Sequence, residues 1–121
     1  MRHRLVELAP LLRTHSPENH TASAEELDVV LGEMSRDLEA TARPREGIII
    51  SFADIGYINS SHLAQLLRLR KKMTDRGCPL ILCDMSDQIW STVHLTGLDR
   101  VFRIVATARD AQSALALAPS E

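Results

Sequence analysis

Apolar positions along the chain change spacing several times, and each change marks a new element. Residues 4 to 13 alternate weakly and are rich in Leu and Val. That predicts one strand, or a short pair broken at Pro10. Residues 14 to 22 are polar, with Pro17 and Asn19, and read as a loop. Leu27, Val30, Leu31, Met34 and Leu38 then recur at helical spacing behind Ser23 and Glu26, which match a capping box. The stretch from Ala42 to Glu46, with Pro44, ends that helix. Gly47 opens Ile48-Ile49-Ile50, a β-branched run that predicts a strand buried on both faces. Asp54-Ile55-Gly56 reads as a bend. A second helix is predicted from Ser60 or Ser61, with Leu63, Leu66, Leu67, Leu69 and Met73 on its apolar side and Gly77 as its stop.

Leu80 to Cys83 predicts the next strand, and Ser86 caps a helix carrying Ile89, Trp90 and Val93. Gly97 and Leu98 end it. Phe102 to Val105 predicts the last strand, followed by a helix entered through Thr107 and Asp110 that carries Ala111, Ala114 and Leu115. Strands and helices alternate four times. A parallel pair of strands needs a crossover, normally a helix. The expected fold class is therefore α/β, with a mostly parallel sheet of four to five strands and about four helices. One domain over residues 1–121 is expected, with 1–3 and 117–121 frayed.

Composition narrows the function. The chain has 121 residues, 45% hydrophobic and 25% charged, so it can build a core without staples. A net charge of -2 and only 3% aromatics argue against nucleic acid as the ligand. No apolar run reaches the roughly 18 residues of a membrane span. The first ten residues have early basic positions but no uninterrupted apolar stretch, so no signal peptide is read there. Cys78 and Cys83 match no metal or redox spacing and read as reduced, packed thiols of a cytoplasmic protein.

Catalytic patterns are missing. The five glycines are isolated, so there is no phosphate loop. His3, His15, His20, His62 and His94 show no metal-ligand spacing, and His94 reads as a half-buried structural residue. Ser60 or Ser61 with His62 does not make a nucleophile pair, because adjacent residues on a helix do not face each other. Asp54, Asp84 and Asp87 lie near strand ends but lack the paired acids of a receiver-type metal site. No cofactor, no metal and no enzymatic activity are expected.

Residues 47 to 70 carry the informative signal: an apolar strand, a bend, then Ile58-Asn59-Ser60-Ser61-His62-Leu63 and a Leu-rich helix. Further on stand Gly77 before a strand and Thr96-Gly97-Leu98-Asp99-Arg100-Val101-Phe102. In register, these resemble the STAS (sulfate transporter and anti-sigma factor antagonist) family. Three positions depart from its pattern. Asn59 replaces an aspartate, His62 replaces a glycine at the expected contact surface, and Ser51 replaces a strand aspartate.

The resemblance implies a protein-binding regulatory module. Its partner would be an anti-sigma factor that is also a serine kinase of the Bergerat ATPase type. Ser60, less so Ser61, would be the phosphorylation site, and Asn59, Ser60, Ser61, His62 and Gln65 the partner-binding residues. A phosphate there adds about -1.5 to -2 charge at a helix N-terminus that favours anions. The plainer alternative is that Ser60 is only an N-cap, worth about 1 kcal/mol. The competing function is a constitutive STAS scaffold subunit of a transport or signalling complex. Neither membrane insertion nor nucleic acid enters this reading; a weak homodimer does. An acidic first helix, with Glu25, Glu26, Asp28, Glu33, Asp37 and Glu39 against Arg36, and a basic second helix offer opposite patches to a partner.

Overall fold

The computed structural model describes residues 2–15 and 24–116. The expected capping box at Ser23, the part of the expected 14–22 loop from 16 onward and the tail from 117 lie outside the described residues; Thr14 and His15, expected in that loop, are helical instead. Four strands, β1 (His3–Glu7), β2 (Gly47–Ser51), β3 (Leu80–Cys83) and β4 (Arg103–Ile104), form one all-parallel sheet in the order β1-β2-β3-β4. The helices are α1 (Leu8–His15), α2 (Ala24–Thr41), α3 (Ser60–Asp75), α4 (Asp87–Leu95) and α5 (Ala108–Ala116), with a 3₁₀ turn at Leu98–Arg100.

Strands laid down in sequence order with right-handed crossovers put every crossover on the same side of the sheet. The core follows that rule. Ile48, Ile50, Leu80 and Leu82 pack under α1, α2, α3 and α4. On the other face, Ile49, Ile81 and Cys83 pack against Ala111 and Leu115 of α5. Gly47 has no side chain because Leu115 lies in the way: a Cβ there would stand 2.6 Å from the leucine Cδ1.

Residues 4 to 13 differ from expectation. The strand stops at Glu7 and the rest is α1, which buries Leu8, Ala9 and Leu12 at helical spacing. Pro10 is tolerated because it lies in the first turn, where an N–H has no intrahelical acceptor. Leu and Ala favour the helix over the strand once Val6 is passed. His3 begins β1, and the Arg2 carbonyl accepts from Gly47 N–H at 2.8 Å. The last strand is shorter than expected, with Phe102 buried in the helix-side core instead. Trp90 and His94 also differ. Both are exposed, stacked on each other at 6.1 Å, and the imidazole lies 3.1 Å from Asp99.

The two charged helices pack side by side, so their opposite charges meet each other as well as solvent. Lys72 of α3 pairs with Glu39 of α2 at 2.9 Å.

The β1–β2 corner is held by Glu46. Its carboxylate accepts from Arg43 N–H at 3.0 Å and from the Arg4 guanidinium at 3.3 Å. The backbone bond from Arg43 and then Arg4 hold this carboxyl below its ordinary value of 4.5, against the opposing effect of burial. Because folding depresses this group, its contribution is complete above 4.5 and fades as the pH falls through the lower folded value. Glu46→Gln is expected to cost about 1 kcal/mol at neutral pH. It should also flatten the acid limb of stability, as read by urea unfolding of both chains across that range.

Candidate functional site

α3 starts where β2 runs out of sheet partners. Past Ser51, Phe52 is buried and Asp54 adopts φ 65°, turning the chain so that Ile55 and Ile58 return to the core while Tyr57 stays exposed. Ser86 Oγ donates to the Gly56 carbonyl at 3.3 Å and ties the start of α4 to this loop. Beneath the bend, Ser51 Oγ donates to Asp84 Oδ2 at 2.6 Å. The Cys83 thiol donates to the same carboxylate at 3.4 Å. Burial, and then the Asp84 charge, push that thiol up to about 12, so it stays protonated and unreactive.

The N-cap of α3 is Asn59, not Ser60. Its Oδ1 accepts from His62 N–H at 3.1 Å, and His62 Nδ1 accepts from Asn59 N–H at 2.9 Å. The two residues thus close a reciprocal capping box with histidine in the place usually held by Glu or Gln. With Nδ1 accepting, Nε2 carries the proton and donates to the Ala24 carbonyl of α2 at 2.8 Å. His62 is fully buried. It therefore does not lie on the contact surface where the sequence placed it; it fastens the start of α3 to the start of α2. With both ring nitrogens engaged in these bonds, the imidazole is not available as a base for either serine.

Asp28 of α2 is the second fastening. Its Oδ1 accepts from Ser61 Oγ at 2.9 Å and from Gln65 Nε2 at 2.8 Å, and lies 3.6 Å from His62 Nε2. The Gln65 amide also donates to the Asp28 carbonyl. The structure thus brings Asn59, Ser61, His62 and Gln65 into one network and leaves Ser60 outside it. Ser60 is exposed at the first helical position, and none of the described residues bonds its hydroxyl. Sequence reading missed Asp28 as part of this site, because the contact spans more than thirty residues and exists only where α2 packs on α3.

The STAS domain family model matches residues 18–111, a span that runs from before α2 into α5 and includes this site. The chain belongs to the STAS domain family. Solved structures share the fold. A STAS anti-sigma factor antagonist domain protein from Planctomyces limnophilus matches with a TM-score of 0.68 and 20% identity, over 76% of this chain and 78% of that one. A candidate anti-sigma factor antagonist from Thermotoga maritima gives 0.62 and 18% identity, over 71% and 75%. The NMR structure of the same Thermotoga protein gives 0.69 and 16% identity, over 96% and 83%. No individual curated protein matches. Within this STAS domain, no helix among the described residues is long and apolar enough to cross a membrane.

Proposed function

We propose that this STAS domain is a regulatory binding module of the anti-sigma factor antagonist kind, released from its partner by phosphorylation of Ser60. The partner on this reading is an anti-sigma factor that doubles as a Bergerat-type serine kinase. The switch would act on transcription in a bacterial cytoplasm, with no reaction catalysed by the chain itself. One observation carries the reading: of two adjacent exposed hydroxyls at the start of α3, Ser61 is bonded to the Asp28 carboxylate, whereas none of the described residues bonds Ser60. A kinase can reach Ser60 without breaking the fold, and the positive end of the α3 dipole favours the phosphate once made. At Ser61 the same phosphate would meet Asp28.

A constitutive scaffold is the second reading. Its support is that Asn59 already occupies the His62 N–H, so a phosphate on Ser60 finds fewer free backbone donors. Peptide mapping by mass spectrometry of the protein from its native cell separates the two. Phosphate localised by fragment ions to Ser60 and not Ser61 is the expected result. An unmodified Ser60 across growth and stress conditions would leave the scaffold reading standing.

A further inference from the structure

The open edge of the sheet is unused by the switch at α3. β1 has a strand neighbour on one side only among the described residues. In a parallel ladder alternate residues turn both backbone groups toward the same neighbour. The Arg2 carbonyl accepts from Gly47, so Arg2, Arg4 and Val6 face β2, while His3, Leu5 and Glu7 turn theirs outward. Leu5, in the middle of that edge, is 37% exposed. Alongside runs a groove of about 640 Å³ lined by Val30, Met34 and Leu38 of α2 and by Leu11 of α1. Glu33 and Asp37 also line it. An unpaired edge with Leu5 exposed at its centre is a template for another strand, and this groove has room for the side chains such a strand would bring.

We propose that the occupant is the β1 edge of a second copy, paired antiparallel about a two-fold axis through Leu5. The segment His3-Arg4-Leu5-Val6-Glu7 is self-complementary in that register. Leu5 lies opposite the partner's Leu5, His3 opposite the partner's Glu7, and Arg4 opposite the partner's Val6. The outward backbone groups of His3, Leu5 and Glu7 then fall at hydrogen-bonded positions of the new ladder. The basic end of each strand, Arg2 and His3, meets the acidic end of the other, where Glu7 stands with Glu33 beside the same groove, while Arg4 stays paired with Glu46 of its own chain. A parallel pairing would set like charges side by side. The two sheets merge into one, and the contact is isologous, with the same patch used by both copies.

A residue on a two-fold axis faces itself, which gives the test its discrimination. Sedimentation velocity across a concentration series should show a monomer–dimer equilibrium for the wild-type chain. Leu5→Lys and Leu5→Glu, each placing like charges face to face, should weaken dimerisation by about tenfold or more. An equimolar mixture of the two should restore it, since Lys then faces Glu. Circular dichroism checks that each variant is folded, which the exposure of Leu5 favours. Should either variant not fold, Leu5→Cys treated with a short bis-maleimide provides the second readout, a covalent dimer through position 5. A wild-type chain that stays monomeric throughout overturns the proposal. So does a dimer indifferent to both charges, a mixture that stays monomeric, or a Leu5→Cys chain that does not cross-link.

Discussion

His62→Ala is expected to lower the unfolding free energy by about 3 kcal/mol, a large effect for a polar residue. Three losses combine. Asn59 N–H loses its acceptor and the Ala24 carbonyl its donor, both at the part-buried junction of α2 and α3. The void left by a fully buried imidazole adds a packing cost. His62→Gln should recover part of the loss, because Gln at this position of a capping box reaches back to the N-cap amide but need not span to Ala24. Urea unfolding measures all three chains, and hydrogen exchange at residues 60–63 locates the change. A cost within about 0.5 kcal/mol, the range of ordinary surface substitutions, would mean that the α2–α3 fastening is not holding this end of the domain.

Ser60→Asp is expected to weaken binding to the proposed anti-sigma factor partner by roughly 10- to 100-fold, with Ser60→Ala unchanged. The neighbouring serine provides the internal control. Ser61→Asp would place a second carboxylate against Asp28, where a hydroxyl now donates at 2.9 Å. That variant should lose stability, whereas Ser60→Asp should keep it or gain a few tenths of a kcal/mol from the helix dipole. Titration calorimetry reads the binding and thermal unfolding reads the stability. Equal binding by Ser60→Asp and Ser60→Ala would end the switch hypothesis, whatever the behaviour of Ser61.

Much of this was legible in the sequence wherever the decisive interaction is local. Ile48-Ile49-Ile50 between Gly47 and Ser51 is apolar on both faces because the strand is covered on both, by four helices on one side and α5 on the other. Ser86 caps α4 within three residues, through the bond from Ile89 N–H. Gly97 takes φ 76° where that helix ends. The segment from Leu8 to Arg13 is ambiguous in sequence because its spacing fits a short strand about as well as a helix, and only burial of Leu8, Ala9 and Leu12 on one side decides it. The site divides along the same line. A capping residue at the head of α3 could be seen, though it is Asn59 and not the serine after it. That His62 turns inward depends on Ala24, and the difference between Ser60 and Ser61 depends on Asp28. Neither partner is near in sequence, so no pattern within α3 carries the distinction.

The two native thiols have a practical consequence for watching this surface. Cys78 and Cys83 are both buried, and Cys83 resists ionisation. Alkylating dyes and spin labels attack thiolates that solvent can reach. The chain is therefore a quiet background for site-selective chemistry, and a reporter attached through one added cysteine on α4 or on the Tyr57 loop would read partner docking without first stripping out the native pair.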